Sequence, residues 1–115
     1  MIFELRPSAI HGVGVFAVVD IPKDTLLELF EPEDDNFIPF EHVPNSKFPE
    51  KIIEKYSIMG EEGYSGPKSF HRMSIGWYLN HSDEPNAHCN DDYEYFASRD
   101  INADEEITVD YEKFC

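Results

Sequence analysis

Apolar residues come in short blocks broken by turn-forming residues, not at a sustained helical period. Val15-Phe16-Ala17-Val18-Val19 is a β-branched and aromatic run. Asp20-Ile21-Pro22-Lys23-Asp24 follows, then Thr25-Leu26-Leu27-Glu28-Leu29-Phe30, so two short strands joined by a tight connection are expected. The pattern recurs near the C-terminus, where Phe96 to Asp104 leads into Glu105-Glu106-Ile107-Thr108-Val109. Aligned without gaps, Phe16, Ala17, Asp20, Ile21, Asp24, Leu27 and Leu29 match Phe96, Ala97, Asp100, Ile101, Asp104, Ile107 and Val109. Two units are too few for a solenoid, and they predict two similar strand-turn-strand elements in one small β domain.

The stretch between the repeats is less regular. From Glu31 to Glu50, acidic residues and Pro32, Pro39, Pro44 and Pro49 predict an exposed excursion with little regular structure. Lys51 to Met59 carries Ile52, Ile53 and Tyr56 at near-helical spacing, enough for one short helix. Glycines at 60, 63 and 66 with Pro67 predict another break, and the apolar run Met73 to Leu79 predicts a buried segment leading into Asn80-His81-Ser82. Many short strands and long connections define a mainly β class with little helix.

A length of 115 residues fits one domain, here residues 1–115, with a modest core. The 24 acidic against 9 basic side chains give a formal charge of −15, which excludes nucleic-acid binding by surface Lys and Arg and favours basic partners. A hydrophobic share of 41% with 14% aromatic argues for a folded chain despite that charge. The two cysteines, Cys89 and Cys115, read neither as a disulfide framework nor as a four-thiolate zinc site, so a reducing compartment is expected. The N-terminal residues do not read as a secretory signal, and no apolar run reaches spanning length, so a cytosolic or nuclear protein off the membrane is expected.

Three stretches carry candidate chemistry. His11-Gly12-Val13-Gly14-Val15-Phe16-Ala17 places two glycines before a strand, where positive φ and close approach of a ligand to backbone N–H groups are available. It is not a dinucleotide fingerprint, because no third glycine opens a helix. A glycine-containing turn is the plain alternative. Leu79-Asn80-His81-Ser82-Asp83-Glu84-Pro85-Asn86 sets polar side chains against an apolar run, where they need partners; in the plain alternative Asn80, Ser82 and Asn86 cap their own backbone. Glu105-Glu106-Ile107-Thr108-Val109-Asp110-Tyr111 ends a strand in an acid and a tyrosine, as an ordinary edge strand also can.

Together and in this order, the three resemble the SET-domain family of protein lysine methyltransferases. The family's Gly-x-Gly corresponds to Gly12 and Gly14, its Asn-His-Ser-x-x-Pro-Asn to Asn80, His81, Ser82, Pro85 and Asn86, and its Glu-Leu-Thr-x-Asp-Tyr to Glu106, Ile107, Thr108, Asp110 and Tyr111. The resemblance implies a β-clip fold of small curved sheets with a knot-like C-terminal threading. It also implies S-adenosylmethionine as cofactor and the side-chain amine of a lysine, in a basic protein or peptide such as a histone tail, as methyl acceptor. By position, Gly12, Val13, Gly14 and Asn80 would hold the methionine end, His81 would meet the adenine mainly through its backbone, and Tyr111 would be the catalytic tyrosine.

An aromatic channel for the lysine would draw on Tyr78, Val109 and Phe114, with Tyr64, Phe70 and Tyr95 as further candidates. Val109, small and two residues before Tyr111, would leave room for multiple methylation. Two departures from the family pattern matter. Trp77 stands where the family often has an arginine that would pair with Glu106, and Asp83 replaces a zinc-binding cysteine, so no zinc module is expected. The few residues after Tyr111 suggest that a second subunit covers the site, hence a homodimer. Two other readings compete: a catalytically silent module that binds a basic peptide, and a metalloprotein using His81, His88, Cys89 and Asp91.

Overall fold

In the computed structural model, which describes residues 2–46, 48–69 and 72–113, β1 (Phe3–Pro7) and β2 (Val13–Ala17) form an antiparallel hairpin, Leu5 opposite Val15. The sequence pattern marks β2 but not β1, whose side chains are mostly exposed. After the short β3 (Leu26–Leu27) come β4 (Asn36–Pro39), a 3-10 segment over Phe40–Asn45, helix α1 (Glu50–Tyr56), β5 (Ile58–Met59) and β6 (Gly63–Gly66). A second 3-10 segment (Ile75–Tyr78) leads to β7 (Asn80–His81), then β8 (Ala87–Cys89), β9 (Tyr95–Ala97), β10 (Glu106–Val109) and a last 3-10 turn (Tyr111–Lys113). Small sheets dominate and helix is sparse, as expected.

The chain forms two compact units. One takes in Met1–Leu29 and Tyr78–Cys115, the other Phe30–Trp77. In the first, the sheet order is β1-β2-β10-β7, with a second sheet β3-β9-β8. The C-terminal strand β10 lies between elements from both halves of the chain: Glu106 and Ile107 pair antiparallel with β2, and Thr108 and Val109 pair parallel with β7. The segment after β7 is clasped across β10 by Asn86, whose side chain bonds the strand's backbone on both sides of Ile107.

The sequence repeat is expressed as a local two-fold arrangement. Ile21 and Ile101 form a reciprocal backbone bridge. On one side Ala17 bonds the backbone of Asp104 and Glu105, and on the other Ala97 bonds that of Asp24 and Thr25. The aspartates follow the same symmetry: Asp20 Oδ1 accepts from Ala103 N and Asp100 Oδ1 accepts from Lys23 N, each at 2.8 Å. Asp24 and Asp104 both sit at positive φ, 69° and 72°. The fully buried Ile21, Ile101, Val15 and Ile107 form the core around this joint.

The Phe30–Trp77 unit corrects the reading of the acidic excursion as irregular. Its sheet β4-β6-β5 is antiparallel, and Gly63, expected to break the chain, sits in β6 because a Cβ there would lie 2.3 Å from the Ile38 carbonyl oxygen. Helix α1, by contrast, falls where the spacing of Ile52, Ile53 and Tyr56 puts it. Asp34 ties the excursion down: Oδ1 accepts from Lys68 N, and Oδ2 from Ser74 N, Ser74 Oγ and Trp77 Nε1.

Candidate functional site

Parallel pairing of β7 with β10 brings Asn80 and His81 beside the strand that ends at Tyr111. Asn80 is 6% exposed. Its Nδ2 faces four oxygens: Glu106 Oε2 at 2.8 Å, and Ser8 Oγ, His11 O and Val13 O at 3.1 Å each. A flipped amide would set oxygen against oxygen, so the orientation is determined, and Oδ1 is the atom left to accept from a ligand.

The two glycines have different roles. Gly12 has φ +48° with open space at its Cβ position, so backbone conformation is what calls for glycine there. A Cβ on Gly14 would lie 2.2 Å from Glu106 Oε2 and 3.1 Å from Asn80 Nδ2. Gly14 is therefore small because Glu106 crosses above it, a packing reason where the sequence suggested ligand approach.

Glu106 has neither the arginine of the family pattern nor a purely packed setting. Its Oε1 accepts a 2.6 Å hydrogen bond from Ser8 Oγ, while the Trp77 indole N–H goes to Asp34. Ser8 was not anticipated; the only sequence signal is a hydroxyl four residues before Gly12.

His81 is positioned to hold Tyr111. The Tyr111 backbone N–H donates to His81 Nδ1 at 3.0 Å, which assigns the ring proton to Nε2, itself 3.0 Å from Asp83 Oδ1. Asp110 Oδ1 lies 3.7 Å from the same Nδ1. The two rings are tilted with centroids 5.4 Å apart. The Tyr111 hydroxyl donates to the Leu79 carbonyl oxygen. Burial, with the negative charge of Glu106 adding to it, raises the Tyr111 hydroxyl above the ordinary phenol range, so it is a neutral donor at physiological pH.

Asn86 is 2% exposed and bonds away from its own turn. Nδ2 donates to Glu106 O at 2.8 Å and Glu105 Oε2 at 3.2 Å, and Oδ1 accepts from Thr108 N. Only Ser82 caps locally, accepting from Glu84 N.

Of the channel candidates, Val109 and Tyr95 line one small cleft of about 70 Å³ with Pro85, Ala87 and Lys113. Burial raises the Tyr95 hydroxyl far above its usual range. Tyr78 does not line that cleft, Tyr64 packs edge-on against Phe40 in the Phe30–Trp77 unit, and Phe70 and Phe114 lie outside the described residues. Among the described residues no three His, Cys, Asp or Glu side chains gather as a metal site. His88 Nδ1 is engaged with Ser98 Oγ. Cys89 is disulfide-bonded, which the cysteine count did not anticipate. Among the described residues no helix is long and apolar enough to cross a membrane.

A small β fold whose C-terminal strand is flanked by a Gly-x-Gly hairpin and an Asn-His strand defines the class. The chain belongs to the SET-domain family, whose profile matches residues 12–112. Its fold is similar to the crystal structure of a Plasmodium falciparum "putative histone methyltransferase", at TM-score 0.59 and 24% identity over 95% of this chain and 91% of that one. No curated protein matches it.

Proposed function

We propose that the chain transfers methyl groups from S-adenosylmethionine to the side-chain amine of lysine in a basic protein or peptide. The observation that carries this reading is the neutral Tyr111 hydroxyl directed at the Leu79 carbonyl, one residue from Asn80 and held by His81. The residues fit the cofactor: Asn80 Oδ1 suits the α-ammonium of a methionine end, and β7 is the outer strand of its sheet, where a flat base could meet the His81 backbone. Bound there, S-adenosylmethionine would supply an electrophilic methyl carried on a sulfonium.

Everything else is positioning. The lysine ammonium must release its proton to solvent before its lone pair can attack, and burial in the covered site would favour the neutral amine. The Tyr111 and Leu79 oxygens can both accept from the amine and fix its line of approach, which is where most of the rate arises in such a displacement. Contacts of these oxygens with the polarised methyl hydrogens are a smaller contribution. Support for a histone as first substrate comes from the name of the Plasmodium falciparum protein.

The test is incubation with labelled cofactor and histone. Wild type transfers label, and Tyr111→Phe lowers kcat about 100-fold, the scale of a well-placed catalytic group. No transfer, or transfer indifferent to the substitution, overturns the reading; peptide binding without transfer instead favours the silent module. Because Tyr111 is 43% exposed, a second copy of the chain is the cover we propose for the site, and a monomeric molar mass in a fully active sample overturns that part.

A further inference from the structure

Ser8 stands at a junction the cofactor reading does not use. Its Oγ donates to Glu106 Oε1 at 2.6 Å, 98 residues away in sequence, and accepts from Asn80 Nδ2 at 3.1 Å and Ile10 N at 3.0 Å. Its backbone N–H donates to Gly12 O at 2.8 Å, so the turn that presents Gly12 is closed at both levels by one residue. Glu106 completes the ring by accepting from the same Asn80 Nδ2 through its other oxygen.

We propose that Ser8 and Glu106 form a positioning pair that sets the Asn80 amide and the Gly12 turn, and thereby determines cofactor affinity without taking part in methyl transfer. The proposal rests on the cofactor reading of Asn80. With Ser8 in place, Nδ2 is committed and Oδ1 presents to the ligand. Without the hydroxyl, Glu106 Oε1 loses its donor and Ile10 N its acceptor, and Asn80 Nδ2 keeps only His11 O, Val13 O and a Glu106 carboxylate that is no longer anchored from its other oxygen, so the amide is held less firmly in place. A half-buried carboxylate bonded by a hydroxyl is a stronger contact than a neutral pair, so its loss is large enough to measure. Ser8 thus supplies Glu106 with a donor, while the Trp77 indole N–H is committed to Asp34.

The test measures S-adenosylmethionine affinity by calorimetry and KM and kcat by label transfer, with melting curves as a check on folding. Ser8→Ala is expected to bind about tenfold more weakly with kcat at saturating cofactor unchanged, Ser8→Thr to restore affinity, and Glu106→Gln to resemble Ser8→Ala. The double variant should lose no more than the worse single one, because both break one pair. Unchanged affinity in Ser8→Ala, failure of threonine to rescue, or a fall in kcat at constant affinity overturns the pair while leaving the cofactor reading intact. A wild-type protein that binds no S-adenosylmethionine overturns both. If Ser8→Ala does not fold, Ser8→Thr and Glu106→Gln alone decide the matter.

Discussion

The two glycines look alike in sequence and differ in what they tolerate. A methyl at Gly12 meets nothing, so Gly12→Ala is expected to cost only the left-handed backbone strain of a non-glycine residue, about 1–2 kcal/mol. A methyl at Gly14 meets a carboxylate anchored by Ser8 and Asn80, so Glu106 must leave its place. Gly14→Ala is therefore expected to lose cofactor binding more than tenfold, while Gly12→Ala stays within a few-fold; calorimetry with parallel melting curves separates the two. The motif residues were legible because each is a residue type that only a few environments require. What they bond to was not: the acceptors of Asn80 come from residues 8, 11, 13 and 106, and the His81 ring proton follows from the Tyr111 N–H. Those facts depend on strand register, which no spacing reveals.

At the level of elements, β2 and α1 were readable because their patterns are long enough to have a period. Strands β3, β5 and β7 have two residues each and are defined by their neighbours. Strands β4 and β6 were hidden by Pro39 and Gly63, which read as breakers and instead permit close pairing. The repeat was legible, and its physical meaning is the joint at Ile21 and Ile101. Symmetry makes a prediction there. Asp20→Ala and Asp100→Ala each remove one 2.8 Å hydrogen bond to an otherwise equivalent backbone N–H, so urea denaturation should give similar losses, about 1 kcal/mol each.

A pH dependence belongs to the neighbouring turn. The Arg99 guanidinium, at 2.6 Å, holds the Glu105 carboxyl below its ordinary range, with Asn102 N and Asn86 Nδ2 adding hydrogen bonds. A folded value depressed below the unfolded one stabilises the protein above the unfolded value and loses that contribution as pH falls through the folded one. Stability should therefore decline on acidification below the ordinary glutamate range, around 4.5, and Glu105→Gln should flatten that part of the curve. A decline of the same steepness in the variant would assign the acid sensitivity to other carboxylates.

On the scale of the whole molecule the dominant quantity is the charge of −15. Not all of it is available to a substrate: Asp34 is consumed by four hydrogen bonds inside its own unit, and burial, though it opposes ionisation, is outweighed by the Ser74, Lys68 and Trp77 donors that hold its carboxyl low. Glu31, Glu33 and Asp35 on the same excursion are exposed. If these carboxylates attract a lysine- and arginine-rich peptide, the attraction acts across water and is screened, the Debye length shrinking from about 10 Å at ~0.1 M salt to about 3 Å at ~1 M. The KM for a basic peptide should then rise several-fold over that range, while S-adenosylmethionine affinity, if the buried Asn80 holds it as proposed, should change less. Neutralising Glu31, Glu33 and Asp35 together as amides should reduce the salt dependence, whereas Asp34→Asn should chiefly lower the melting temperature. Salt dependence unaltered by the triple substitution would assign the attraction to other carboxylates.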